Sequence, residues 1–160
     1  MRLRQLIDGM EIVDFQGNPE LEIVNISYDS RAIRPGSLFV ALKGHAQDGH
    51  HFIEDAILNG ALAVVSELSP GPCAFPNENG VAMIQVPDSR ETLSRLAVRF
   101  FDSPFKKMNL IGITGTNGKT TTAYLFESIL VAAGRKPGVI GTINYRFPGH
   151  VREAPVTTPE

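Results

Sequence analysis

The sequence predicts an α/β fold in two parts: a small amino-terminal α/β domain over residues 1–104, and over residues 105–160 the first part of a parallel-sheet domain. Three observations predict it. Short apolar runs at residues 38–42, 61–65 and 81–86 alternate with segments of helical spacing, the rhythm of βαβ units. A β-branched run, Leu110 to Ile113, then feeds a loop holding Gly115 and Gly118 and a helix-like segment opened by Lys119, the order in which a phosphate-binding loop is built. Finally, 42% hydrophobic and 20% charged residues in a chain of 160 place it among globular proteins and exclude a disordered or fibrous one.

In chain order, Leu21, Ile23 and Ile26 alternate imperfectly with polar neighbours and end at Tyr28-Asp29-Ser30-Arg31, a tetrad suited to a strand end or turn. Arg34-Pro35-Gly36-Ser37 is a turn signal, with an apolar strand at 38–42 behind it. The stretch from Lys43 to His50 is a loop dense in glycine and polar side chains. Phe52, Ile53, Ala56 and Ile57 then recur at helical spacing and stop at Asn59-Gly60. Residues 61–65 predict a buried strand, 69–80 a surface excursion rich in Pro and Gly, and 81–86 a returning strand. Asp88 and Glu91 have the spacing of a capping box, ahead of a helix face made by Leu93, Leu96, Ala97 and Phe100. Pro104 prevents that helix from continuing, and the domain boundary is placed there.

Beyond it the pattern predicts a strand at 110–113 and a helix from Lys119 to Ala133. Phe126, Ile129, Leu130 and Ala133 would form its buried face, and Gly134 would end it. A second strand over 136–142 and a loop to Glu160 complete the reading. Two strands and one helix cannot cover both faces of a parallel sheet, so the chain reads as an amino-terminal piece of a longer protein.

Fifteen basic against seventeen acidic residues give a net charge of −2, without long runs of either sign. That pattern leaves no electrostatic footprint for nucleic acid or an anionic membrane, so a phosphate ligand would be held locally. Gln5, Asp8, Gly9 and Glu11 interrupt the segment after Met1, which argues against a leader or membrane span. A single cysteine, Cys73, excludes an internal disulfide and agrees with a reducing compartment, so a cytoplasmic protein is expected.

The phosphate-loop pattern G-x-x-x-x-G-K-[ST] is met only at its end. Ile113 stands where the first glycine should be, with Gly112 one residue early and Gly115 two residues late. Lys119 would supply positive charge to the β and γ phosphates of a nucleoside triphosphate, and the Thr120 hydroxyl could reach Mg²⁺. The competing account is a strand-turn-helix connection that happens to contain Gly-Lys-Thr. Asp29-Ser30-Arg31 reads on its own chemistry as a turn with an exposed ion pair of little worth. His45, His50 and His51 lack the cysteines or carboxylates that would complete a zinc set, so loop hydrogen bonding or ligand contact is expected instead. His150 is expected in solvent, Asn117 as a turn residue, and Thr157-Thr158, before Pro159, as an extended linker.

The loop Gly115-Thr116-Asn117-Gly118-Lys119-Thr120-Thr121 resembles the variant phosphate loop of the Mur ligase family, ATP-dependent enzymes that add amino acids to the peptidoglycan precursor. That variant has its own glycine spacing, which accounts for Ile113; folylpolyglutamate synthetases carry a similar loop. Tyr28-Asp29-Ser30-Arg31, the stretch from Pro35 to Ala41, Asp48-Gly49-His50 and Phe52-Ile53 are similar to the amino-terminal domain with which tripeptide- and pentapeptide-forming members hold UDP. The resemblance covers essentially the whole chain. It implies that Gly115 to Thr121 bind ATP, with Lys119 catalytic and Thr120 on Mg²⁺. It further implies that Tyr28 and Ser30 line a uridine pocket, that His45, Ala46 and Gln47 lie along the UDP, and that Asn117, Thr157 and Thr158 reach the rest of the sugar nucleotide.

The activity implied is ATP-dependent addition of the third amino acid, diaminopimelate or lysine, to UDP-MurNAc-L-Ala-D-Glu through an acyl phosphate. The partners would be UDP-MurNAc-dipeptide and a free amino acid, with the protein a monomer and this chain alone inactive. Thr116-Asn117 and Gly141-Thr142-Ile143 favour the tripeptide-forming type over the pentapeptide-forming one. Two other classes stay open: an ordinary P-loop kinase or GTPase, which would not need the first domain, and a non-catalytic module that binds both nucleotides without ligation.

Overall fold

The computed structural model describes residues 1–44, 47–69 and 80–154, and the chain divides into two compact units, Met1–Lys107 and Met108–Glu160. The first unit is built on a five-stranded sheet in the order β1-β5-β4-β3-β2. Its strands are β1 (Asp14–Gln16), β2 (Asn25–Ser27), β3 (Ser37–Val40), β4 (Ala61–Ser66) and β5 (Ala82–Gln85), all parallel except β1, which runs antiparallel to β5.

Period-two alternation sends β3 and the residues after it to both faces. Leu38, Val40 and Leu42 join Ile84, Val86 and the helices α1 (Leu3–Ile7) and α3 (Ser89–Phe100) in one apolar cluster. Phe39 and Ala41 join Val64, Met83 and the helix α2 (Ile53–Leu58) in the other. Covered on both sides, the sheet buries every residue of β3, including Ser37 ahead of the apolar run Leu38 to Val40. In β4 the pairing moves from Ser37↔Ala61 to Leu38↔Ala63, skipping Leu62. Leu62 and Ala63 both pack toward the first cluster, the signature of one extra residue in the strand.

Several sequence expectations are met here, and others are corrected. Strands at 38–42, 61–65 and 81–86 form within a residue or two of their expected ends, and α2 stops at Asn59. The capping box forms only in half: Asp88 Oδ1 accepts the Glu91 N–H at 2.8 Å, whereas the Glu91 carboxylate pairs with Arg95 at 2.7 Å. α1 and β1 went unanticipated, because helices and strands of three to five residues leave no measurable periodicity. The excursion at 69–80 and Cys73 fall mainly or wholly outside the described residues.

The second unit holds the helix α4 (Lys119–Ala132) and a small antiparallel sheet of β6 (Val139–Ile140), β7 (Asn144–Phe147) and β8 (His150–Glu153). Here the differences are larger. Residues 110–113 form no strand, since among the described residues no neighbour pairs with them. The 136–142 strand shrinks to β6, and the expected loop after it contains a hairpin turning at Pro148-Gly149. No residue of α4 is fully buried among those described: of the expected face, Phe126, Ile129 and Ala133 are exposed and Leu130 is half-buried. The end of α4 does match: Gly134 N–H binds the Val131 carbonyl and Arg135 N–H the Leu130 carbonyl, the paired bonds of a Schellman termination.

Candidate functional site

Because β2 to β5 are parallel, the segments that follow them emerge at one edge of the sheet, the carboxyl edge, where α/β proteins gather their ligand-binding loops. After β2 comes Tyr28, half exposed at 49%, and then a 3₁₀ turn, Ser30–Ala32. Asp29 shapes it. One carboxylate oxygen accepts the Arg31 N–H at 3.0 Å and Nε at 2.9 Å, and the other meets Nη2 at 2.8 Å. The Arg31 guanidinium holds the Asp29 carboxyl below its usual range, although Arg31 stands 88% exposed, as the ion pair expected from sequence.

The loop after β3 follows the same plan. Asp48 Oδ1 accepts the His50 N–H at 3.0 Å and opens a second 3₁₀ turn, Gly49–Phe52. Hydrogen bonds from the His50 backbone and ring keep the Asp48 carboxyl low. The neck of the loop is closed by a Lys43↔Asp48 bridge and by Gly44 N–H on the Gln47 carbonyl at 3.0 Å. Gly49 is obligatory on steric grounds: a Cβ there would lie 2.7 Å from the Leu42 carbonyl oxygen. Of the sequence candidates, Tyr28 and Ser30 follow β2 and Gln47 follows the adjacent β3, so the sheet brings their loops to one edge. His45, Ala46, Thr157 and Thr158 lie outside the described residues.

Sequence reasoning missed two contributors to this edge. Glu67, after β4, accepts the Ser89 N–H at the start of α3 through Oε1 at 3.0 Å. Arg90, in the first turn of α3, donates to the Lys43 carbonyl at 3.4 Å. Neither sits in a motif, so only the sheet order could reveal them.

In the second unit Gly115, Thr116, Asn117 and Gly118 lead directly into α4. Gly115 has φ +146° and Gly118 φ +76°, a conformation that L side chains rarely adopt, which explains two glycines at this spacing. Gly118 is the N-cap but has no side chain with which to cap, and Thr122 N–H is the donor that its carbonyl accepts, at 2.8 Å. The amides of Lys119, Thr120 and Thr121 therefore stand at the positive end of a fourteen-residue helix. Lys119 folds back so that Nζ donates to the Gly115 carbonyl at 2.5 Å, keeping its charge over the loop. Backbone donors, a lysine and the Thr120 hydroxyl form a donor set suited to a polyphosphate with its metal. Among the described residues no group of three or more His, Cys, Asp or Glu gathers as a metal site.

A doubly covered parallel sheet with its loops at one edge, followed by a glycine-bounded turn into a helix, defines an α/β protein of phosphate-loop type. The chain belongs to the Mur ligase family: the family's catalytic-domain model matches residues 22–101 and its middle-domain model residues 113–160. A UDP-N-acetylmuramoyl-L-alanyl-D-glutamate–2,6-diaminopimelate ligase of Geobacter sulfurreducens is 45% identical over 161 residues, covering 100% of this chain and 30% of its own length. Among solved structures, a ligase of the same description aligns over 100% of this chain and 31% of its own with TM-score 0.67 and 26% identity. The MurF ligase of Thermotoga maritima, solved in complex with ADP, aligns over 76% of this chain and 27% of its own with TM-score 0.50 and 30% identity. The chain thus spans about a third of the length of the proteins it matches. No helix among the described residues is long and apolar enough to cross a membrane.

Proposed function

We propose that this chain is the substrate-holding front of an ATP-dependent ligase that adds diaminopimelate or lysine to UDP-MurNAc-L-Ala-D-Glu. The observation that carries the reading is the pairing of two sites in one sequence. A carboxyl edge presents Tyr28, Ser30 and Gln47, and a capless helix start presents Lys119 and Thr120. The identity to a diaminopimelate ligase over the whole chain supports the tripeptide-forming type.

In this reading Tyr28 gives an apolar wall for uracil, and Ser30, His45, Ala46 and Gln47 meet the polar edges of the UDP. Asn117, Thr157 and Thr158 would reach the remainder of the sugar nucleotide. ATP supplies the phosphoryl group that turns the substrate carboxylate, a poor electrophile, into an acyl phosphate open to attack by an amine. The amides of residues 115–121 orient the triphosphate, and Lys119 neutralises charge as it builds on the phosphoryl oxygens. The Thr120 hydroxyl offers Mg²⁺ a protein ligand. The domain division at residue 104 and a monomeric, cytoplasmic protein belong to the same proposal.

The test is amino-acid-dependent phosphate release by the full-length ligase carrying this chain, with UDP-MurNAc-dipeptide and ATP. Release that requires the dipeptide carrier and one amino acid is expected. Phosphate release indifferent to the carrier would instead point to a plain nucleotide hydrolase.

A further inference from the structure

We infer that His50 is a positioning residue for the sugar-nucleotide edge, a rivet that holds the loop carrying Gln47 in place. The inference rests on the reading above that this loop meets the UDP. The His50 side chain is only 7% exposed, and both ring nitrogens are engaged. Nε2 accepts the Glu67 N–H at 3.3 Å, which a ring nitrogen can do only without a proton. The ring proton therefore sits on Nδ1, which donates to Asp48 Oδ1 at 2.5 Å. One imidazole thus ties the loop after β3 to the loop after β4.

What it ties is already assembled on either side. Toward the loop, Asp48 bridges to Lys43 at the neck, and Gln47 is held by Gly44. Toward the sheet, Glu67 receives Ser89 N–H at its carboxylate and the Gln85 side-chain amide at its carbonyl, 3.3 Å away. Three loops, those after β3, β4 and β5, are joined in one rim through His50 and Glu67. His50 itself touches neither apolar cluster as a member, so its loss should loosen the rim without opening the core.

Two variants separate the arms. His50→Asn keeps a donor for Asp48 and loses the acceptor for Glu67; His50→Gln can reach Glu67 and loses the donor. In the full-length ligase, each is expected to raise the KM for UDP-MurNAc-dipeptide about tenfold, the worth of one lost hydrogen bond in an ordered site. The KM for ATP and kcat should stay within a factor of about two, and the melting temperature should fall by no more than a few degrees. Gln47→Ala, measured beside them, should raise the same KM. Both His50 variants without effect, with Gln47→Ala still raising that KM, would overturn the rivet alone. No effect from any of the three would overturn the rivet together with the reading of the loop. A fall in melting temperature with both KM values raised equally would make His50 a folding residue only, and nitrogen NMR placing the ring proton on Nε2 would contradict the bonding pattern outright.

Discussion

The two units differ in what holds them. In the first, Leu3, Leu6, Leu38, Phe39, Val40, Val64, Val65 and Ile84 are all removed from water, and the sheet has cover on both faces. In the second, a helix of fourteen residues buries none among those described, and polar contacts bind it to its hairpin. Arg146 on β7 meets Glu127 of α4 through Nε at 3.2 Å and Nη2 at 2.5 Å, reaches Asn144, and lies 4.0 Å over the ring of Tyr124. Its guanidinium is pushed above its ordinary value first by that carboxylate. Apolar residues at helical or strand spacing are covered within the first unit, whereas those of α4 have no full cover from the described residues of this chain, which spans about a third of its relatives' length.

Substitutions can break or sharpen that contrast. Phe39→Ala, at a site 1% exposed, should cost about 3–5 kcal/mol in urea unfolding of the first unit. Arg146→Ala should cost the second unit about 1.5–3 kcal/mol, seen as faster hydrogen exchange in α4 and the hairpin, and Arg146→Lys should rescue little of it because the planar fork is lost. Gly118→Ala should cost about 1 kcal/mol for its left-handed backbone and weaken ATP binding measured by calorimetry more than it weakens folding. Ile129→Ala, 65% exposed on α4, should change stability by no more than about 0.5 kcal/mol, well below the Phe39 effect; a larger loss would mean that the α4 face is covered in solution.

The smallest effect expected is one of pH. Asp29 and Asp48 have lowered carboxyl values in the folded chain, so their contribution is present above the ordinary aspartate range and fades as pH falls through the lowered values. Replacing both with Asn should flatten the acid limb of the first unit's stability curve and leave the second unit's unchanged.

This contrast also explains what could be read from the chain. The strands β3, β4 and β5 were legible because each is an apolar run bounded by turn residues and ends up buried. The start of α4 at Gly118-Lys119 was legible because only glycine readily takes the positive φ that the turn into the helix needs. The hairpin of β7 and β8 was not: Asn144, Arg146, His150, Arg152 and Glu153 make it polar, and its attachment depends on one guanidinium whose partner lies nineteen residues away. The stretch at 110–113 has the right residues, but among the described residues no strand pairs with it, and β propensity without pairing makes no strand. At the carboxyl edge of the sheet, Tyr28, Ser30 and Gln47 came from family likeness. Glu67 and the double bonding of His50 appear only when strand order sets distant loops side by side.

Leu62 gives β4 a spare residue, and with it some slack. Shortening a strand by one residue normally turns half of it inside out, yet removal of Leu62 would leave Ala61, Ala63, Val64 and Val65 each on the side they already occupy, opposite the same partners in β3. The middle of the sheet therefore has a place, at Leu62-Ala63 in β4, where the chain can lose one residue without scrambling what lies inside.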